Sequence, residues 1–281
     1  MSALLTSLAA AALLTGPPPC SPADAADLRA FAPAADSMLS MVLNIPAFRL
    51  DVRNGEGMVR SYTVAVGSRR YRTPVGRYAV SSVELNPWWH PPDSPWARLE
   101  KVTPPGPDNP MGPAKLNFHE LYFLHGTPWE QSLGSAASHG CVRMARADAL
   151  ELARIVLAAT RPDVSAADVD AAEADHRRTR RYALRRPVPL AVEYRTAEVR
   201  GDTLELHPDV YRRERTPLRA RALQALRFAG VTPDRVDTAK LDSLVRAGRR
   251  EHARIAIEQL LIRPAPPPIM DVPPVPAGGR G

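Results

Sequence analysis

The alternation of hydrophobic and polar positions, which begins at Met41, predicts a mainly β domain. Strands show this two-residue period because successive side chains point to opposite faces of a sheet. Residues typical of turns, such as Asn54-Gly55 and Gly67, separate the alternating segments. Those segments are MVLNIPAFRLDV, MVRSYTVAVG and GRYAVSSVEL, followed after residue 113 by LNF and LYFLHG. We expect a compact β-sandwich, with sheet packed on sheet and a few covering helices.

A long loop interrupts these strands, and a helix follows them. The loop from Asn86 to Pro113 is rich in proline and glycine, and loops of this length inside a domain are usually functional or disordered. Asp148 is a candidate N-cap for the helix ADALELARIVLAA, and Arg161-Pro162 is its stop signal. The apolar face predicted for this helix consists of Leu152, Ile155, Val156 and Ala159.

The rest of the chain predicts an extension of mixed structure. Its predicted elements are a charged helical or loop insertion at 163–186, a β-hairpin within 187–212 that turns at Arg200-Gly201-Asp202, and amphipathic helices at 217–229 and 238–262, the second interrupted at Gly248. The tail at 263–281 is so rich in proline and glycine that we predict it to be disordered.

The first 25 residues predict a secretory signal peptide. An apolar stretch too short to span a membrane is followed by the A-x-A-like site Ala23-Asp24-Ala25. The first basic residue is Arg29, so a start further upstream and a buried N-terminal helix are the alternatives. Cleavage near Ala25 would leave Cys141 as the single thiol of an exported protein, in the periplasm or cell envelope, with no transmembrane helix.

The charge balance favours acidic partners. Lys and Arg number 37 against 30 Asp and Glu, and arginines concentrate at 177–186 and 212–221. Such an excess suits nucleic acid, anionic lipid or a carboxylate-rich polymer, although arginines that are merely solvated give the same composition. No nucleic-acid-binding motif accompanies the charge and aromatic residues are only 6% of the chain, so we expect no nucleic-acid partner.

The segment ASHGCVRM contains the candidate nucleophile, Cys141. A cysteine attacks as its thiolate and needs a base or a positive field nearby. His139, two residues earlier, and His125, which twelve residues separate from Ser138, are the candidate bases. Gly140 lets the backbone approach a substrate closely, and its N–H is a candidate oxyanion donor. Each of these residues also has a purely structural alternative, most plainly His139.

Several motifs in order resemble the YkuD-type L,D-transpeptidase catalytic domain. They are V-x-N-I-P-x-x-R-L from Val42 to Leu50, T-P-x-G at Thr73 to Gly76, N-P-x-W at Asn86 to Trp89, G-P-x-N-x-M-G at Gly106 to Gly112, and HGT followed by SHGCVRM. The resemblance covers about residues 39–160 and is weaker over 187–212. It implies a β-sandwich catalytic domain without a metal or other cofactor.

The resemblance also implies a reaction and a set of roles. Family enzymes form a cysteine thioester with a peptidoglycan stem tetrapeptide, release D-alanine and transfer the acyl group to an amine. That amine belongs to a second stem, giving a 3→3 crosslink, or to a lysine of an envelope lipoprotein. The implied residues are Cys141 as nucleophile, His125 as proton donor and acceptor, the Gly126 carbonyl as its orienter, His139 in support, Gly140 as oxyanion donor, and Ser138, Arg143, Trp88 and Trp89 as substrate contacts.

Two other functions stay open at this point. One is an L,D-carboxypeptidase or endopeptidase that hydrolyses the same bonds with the same residues. The other is a non-catalytic wall-binding protein. The predicted domain boundaries are 1–25 for the signal peptide, 39–160 for the catalytic domain, 161–212 for the charged insertion and hairpin, 217–262 for the helical segment and 263–281 for the tail.

Overall fold

Most of the alternating segments pair into one eight-stranded sheet in the computed structural model, which describes residues 38–55 and 57–262. The predicted signal peptide and disordered tail lie outside the described residues. The first ten strands are β1 (Ser40–Asn44), β2 (Arg49–Asn54), β3 (Gly57–Thr63), β4 (Val66–Gly67), β5 (Gly76–Leu85), β6 (Ala114–His119), β7 (Tyr122–Gly126), β8 (Ala136–Ser138), β9 (Val142–Met144) and β10 (Arg180–Glu193).

The large sheet has the order β3-β2-β1-β10-β5-β6-β7-β9, and β4 pairs with β8 in a small separate sheet. Pairing within the large sheet is antiparallel except between β1 and β10 and between β7 and β9, and the β4–β8 pair is also parallel. The predicted boundary at residue 160 cuts across this sheet, because β10 lies between β1 and β5. The pairing of β10 with β5 shifts in register between Ala183 and Val188, which spans the arginine-rich stretch.

Two helices follow the cysteine segment. Helix α1 (Arg146–Thr160) packs on β6, β7 and β10, and α2 (Ala166–Ala174) begins with a capping box between Ser165 and Asp168. Asp148 lies in the first turn of α1 without capping it, since Ala145 occupies the cap position. The buried face of α1 is also rotated from the predicted one: Ala149, Leu152, Ala153 and Val156 are buried, whereas Ala159 is exposed.

The C-terminal residues form a second apolar cluster. A three-stranded sheet of β11 (Ala197–Arg200), β12 (Thr203–Leu206) and β13 (Ala253–Ala256) packs against α3 (Leu218–Phe228) and α4 (Thr238–Gly248), and a short α5 (Ile257–Leu260) follows. The β11–β12 hairpin turns where the sequence predicts. The helix predicted to continue to residue 262 is wrong, because beyond Gly248 the chain reverses and Ile255 pairs with Leu204 at the edge of β12.

The mainly β, sandwich-like class is confirmed, with five α-helices among the described residues. None of the helices in residues 38–55 and 57–262 is long and apolar enough to cross a membrane.

Arg49 on β2 ties the large sheet to the C-terminal sheet. Its guanidinium bonds to Glu198 on β11 at 2.6 Å and to Glu205 on β12 at 2.9 Å. His207 Nε2 lies 3.1 Å from Glu198 Oε1, which also accepts from Asn44 Nδ2 at 2.8 Å. The two glutamates and His207 offer atoms within 4.8 Å of one another, as metal ligands do, but Arg49 already supplies positive charge there.

Glu198 is charged in the native state. The network therefore predicts that the protein loses stability in acid, where this carboxylate becomes protonated. Burial raises the pKa of Glu198, but the hydrogen bond with His207 and the charge of Arg49 outweigh it and lower the pKa from 4.5 to about 2. A lowered native pKa stabilises the fold above the unfolded value and loses that effect as pH falls toward the native value. Glu198→Gln should therefore cost on the order of 2–3 kcal/mol of unfolding free energy at pH 7.

Urea titrations between pH 7 and pH 2 test this expectation. The difference between wild type and Glu198→Gln should shrink as the pH falls from about 4.5 toward 2, because the wild-type carboxylate is then protonated. A difference that stays constant over that range would contradict an ionised Glu198 in the network.

Candidate active site

The parallel pairing of β7 and β9 brings the predicted histidine and cysteine to one face of the sheet. Leu124 lies opposite Val142 and His125 opposite Arg143 in this pair. Leu124, Val142 and Met144 point into the core. Because strand side chains alternate, His125 and Arg143 point to the other face, and Cys141, two residues before Arg143, lies on that side as well.

His125 is held as a neutral imidazole. Its Nδ1 lies 2.6 Å from the carbonyl of Gly126, the orienting contact that the sequence predicts. Since a carbonyl only accepts, Nδ1 carries the proton and Nε2 keeps a free lone pair. Burial lowers the pKa of His125 to about 4, against the opposing effect of the Gly126 and Pro110 carbonyls and with help from the charge of Arg143. The ring is therefore ready to accept a proton at neutral pH.

Cys141 is held as a neutral thiol. Its Sγ donates a long hydrogen bond to the carbonyl of Leu121 at 3.6 Å. Burial raises the pKa of the Cys141 thiol to about 11, although a bond with the backbone of Phe123 and the charge of Arg143 oppose this. A cysteine needs a base or a positive field to attack as its thiolate, and the structure places a neutral base and a neutral thiol on one face of the sheet. His125 is buried and Cys141 is only partly exposed, so burial disfavours the charged form of each.

A tight turn presents the cysteine. Gly140 has a φ of +116°, and a Cβ there would lie 2.6 Å from the ring of Tyr122, so this position requires glycine. The Ser138 hydroxyl donates to the Cys141 carbonyl at 2.5 Å and accepts from the Gly140 N–H at 3.0 Å. Ser138 is thus buried and holds the turn, a role different from the predicted substrate contact. The Gly140 N–H, predicted to bind an oxyanion, is already bonded.

Residues 40–166 match the family model described as the L,D-transpeptidase catalytic domain, YkuD. The match covers less than half of the chain. The YkuD protein of Bacillus licheniformis is 32% identical over 128 residues, which are 45% of this chain and 64% of that protein. The YbiS protein of Escherichia coli is 33% identical over 102 residues, 34% of this chain and 33% of that protein. The chain thus spans from about a third to just under two thirds of these relatives.

Solved structures of L,D-transpeptidases show lower similarity. One from Mycobacterium smegmatis has a TM-score of 0.39 at 14% identity, over 56% of this chain and 59% of that one. L,D-transpeptidase 3 from Mycobacterium tuberculosis has a TM-score of 0.38 at 17% identity, over 56% of this chain and 61% of that one.

The G-P-x-N-x-M-G motif holds the long loop from Asn86 to Pro113 in place through hydrogen bonds. The Asn109 side chain donates to the carbonyls of Pro87, Thr103 and Pro104, and its Oδ1 accepts from the N–H of Met111. Gly112 has a φ of +62°, and a Cβ on it would lie 2.7 Å from the Cα of Gly126. The motif therefore fixes the loop closely against the carbonyl group that orients His125.

Trp96 lies at this site, although the sequence analysis did not name it. Trp96, in a short 3-10 helix (Pro95–Ala97), stacks on His139 with ring centroids 3.9 Å apart, and Tyr71 meets the same histidine edge-on at 4.8 Å. Burial and then the charge of Arg143 lower the pKa of His139. The predicted contacts lie elsewhere on the loop: Trp88 faces His90, and Trp89 pairs its backbone with Thr103.

Arg143 lies on this face together with Lys115, which differs from it in pairing with Glu84 at 2.9 Å. Its guanidinium lies 5.3 Å from the ring centroid of Trp129, and no carboxylate in residues 38–55 and 57–262 lies within salt-bridge distance of it. Burial lowers its pKa, and the neighbouring Cys141 opposes this. A partly buried guanidinium without an acidic partner suits a carboxylate from outside the chain.

The neutral pair predicts how alkylation of Cys141 depends on pH. Because burial raises the thiol pKa to about 11, the rate of reaction with iodoacetamide should keep rising through pH 7 to 10. The rate is measured by mass spectrometry of the intact protein. A plateau already reached at pH 6–7 would contradict a protonated resting thiol and indicate a thiolate–imidazolium pair.

The same assay at pH 7 separates the two histidines. His125→Ala should slow alkylation sharply because the base is lost, whereas His139→Ala should slow it less. The reverse ranking would make His139 the base.

Proposed function

We propose that this protein is a peptidoglycan L,D-transpeptidase with Cys141 as its nucleophile. The observation that carries the proposal is the neutral His125, fixed by the Gly126 carbonyl, on the same face of the sheet as Cys141 within the segment that matches the YkuD family model. A base and a thiol side by side support acyl transfer. The substrate we infer is the stem tetrapeptide of peptidoglycan, and the location we infer is the periplasm or cell envelope.

In the first half-reaction His125 Nε2 takes the thiol proton as Sγ attacks the carbonyl that follows the L-centre of diaminopimelate. The C–N bond to the terminal D-alanine breaks, and the imidazolium returns the proton to the departing amine. A thioester on Cys141 and free D-alanine result. The low pKa of His125 suits this step, since a buried imidazolium gives its proton back readily.

Arg143 is the residue we assign to substrate binding. Its unpaired guanidinium lies on the face that carries Cys141, where it can hold a carboxylate of the stem peptide. The arginine excess of the whole chain favours the same anionic polymer at longer range. Trp129, beneath the guanidinium, limits where that charge can lie.

In the second half-reaction an acceptor amine attacks the thioester and His125 removes its proton. The C–S bond breaks as the new amide forms, and the imidazolium returns the proton to the Cys141 sulfur. Water at about 55 M competes, so an amine wins only if it is bound and water is excluded. The loop fixed by Asn109 carries Trp96, which stacks on His139 two residues before Cys141, and we infer that this ring helps to exclude water and favours transfer over hydrolysis. The acceptor is a second stem, or a lysine of an envelope lipoprotein.

Product analysis with tetrapeptide muropeptides at millimolar concentration tests transfer. The mature protein should give D-alanine-free 3→3 crosslinked dimers, identified by mass, and Cys141→Ala should lose turnover by far more than tenfold while staying folded. Tenfold corresponds to only about 1.4 kcal/mol, less than covalent catalysis contributes. Cys141→Ser should fail as well, because a hydroxyl is a poorer nucleophile with the same base.

Each other outcome points to a named alternative. Tripeptides as the only product would replace this proposal by the carboxypeptidase function. A Cys141→Ala protein that keeps more than a tenth of the wild-type rate would exclude Cys141 as the nucleophile. Binding without any turnover would leave the wall-binding protein.

A further inference from the structure

Tyr211 lies outside the family-matched segment of residues 40–166 but reaches the loop beside the cysteine turn. It follows β12 in the chain and is fully buried, with none of its surface exposed. A tyrosine hydroxyl that is buried normally has a partner, and this one has two.

A chain of four hydrogen bonds connects Tyr211 to the cysteine turn. The Tyr211 hydroxyl donates to the Gly67 carbonyl at 2.8 Å and accepts from the Thr73 N–H at 3.1 Å. The Thr73 hydroxyl accepts from the Gly67 N–H at 2.9 Å and donates to the Gly140 carbonyl at 2.8 Å. Every one of these bonds lies within the protein interior, where a lost bond is not replaced by water.

The bond from the Thr73 hydroxyl to the Gly140 carbonyl restrains the backbone of the next residue, Cys141. The peptide unit between Gly140 and Cys141 is planar, so holding the Gly140 carbonyl also sets the direction of the Cys141 N–H. Gly140 has a φ of +116°, a region from which a glycine can relax in many directions when it is not held. The bond from Thr73 therefore selects one conformation of the turn, and with it the direction in which the Cys141 side chain leaves the backbone.

Tyr211 is itself held on both sides. Its N–H donates to the Tyr194 hydroxyl at 2.8 Å, and that hydroxyl donates to Asp209 at 2.5 Å. Arg72 lies 5.6 Å from the centroid of the Tyr211 ring and donates to its carbonyl at 3.3 Å. The ring thus has little freedom to move away from Gly67 and Thr73.

We propose that Tyr211 is a positioning residue for Cys141, acting through Thr73 and Gly140, so that a segment after the family-matched domain completes the active site. Tyr211 touches no reacting atom in this proposal. The inference rests on Cys141 as the nucleophile of the proposed function, and its test includes a measurement that needs no substrate.

The test compares Tyr211→Phe with Tyr62→Phe. Both changes remove a buried hydroxyl and keep the ring, but the Tyr62 hydroxyl bonds to Glu151 at 3.1 Å and takes no part in the chain of bonds to Gly140. Tyr211→Phe should lower kcat for tetrapeptide turnover at least tenfold with KM changed less than twofold. Tyr62→Phe should change neither by more than twofold, at a temperature where circular dichroism shows both variants folded.

Alkylation of Cys141 by iodoacetamide gives the readout without substrate. A turn released by Tyr211→Phe admits water to the thiol, so the pH profile of alkylation should move at least one pH unit lower, toward an ordinary cysteine. Thr73→Val should produce the same shift, and the double variant should show no further change, since both act on one chain of bonds. Tyr62→Phe should leave the profile in place.

The outcomes are distinct. An unmoved profile in Tyr211→Phe, or shifts that add in the double variant, would overturn the positioning role. A wild-type protein that turns over no tetrapeptide would contradict the proposed function. The shift in the alkylation profile of Tyr211→Phe would still establish that Tyr211 positions Cys141.

Discussion

When β9 pairs in parallel with β7, His125 and Arg143 become neighbours across the ladder, and Cys141 enters the same face from the turn before β9. A one-residue shift of either strand would exchange its buried residue, Leu124 or Val142, with the neighbour that faces the site. The burial of those two residues therefore holds the register that makes the site. Helix α1, which starts just after β9, packs on β6, β7 and β10 and so stabilises β7 in this position.

Burial of His125 and Cys141 determines their protonation states. Burial lowers the pKa of His125 and raises that of Cys141, so both groups are uncharged at rest, beside the charges of Arg143 and of Lys115, which pairs with Glu84. A thiol that stays protonated until substrate arrives reacts slowly with oxidants. The charge appears only during attack, when the proton moves to an imidazole that the Gly126 carbonyl already orients.

Local signals in the sequence predict much of this arrangement. The alternating segments become strands, and the hairpin turns at Arg200-Gly201-Asp202. The contact of His125 with the Gly126 carbonyl was implied by the family resemblance. The misses depend on distant contacts. Nothing local in β10 shows that it inserts between β1 and β5, and the stack of Trp96 on His139 joins residues that are 43 positions apart, with three strands between them. The Ser138 hydroxyl bonds within its own turn because of the conformation of Gly140, and the amino-acid sequence does not give that conformation.

A covalent intermediate on Cys141 is the central claim, and the intact mass of the protein after rapid mixing with a stem tetrapeptide tests it most directly. The account predicts a mass increase equal to the acyl tripeptide portion, mapped to Cys141 by peptide digestion, with one D-alanine released for each adduct formed. Product that accumulates without such an adduct under acid quench, or an adduct on another residue, would contradict it.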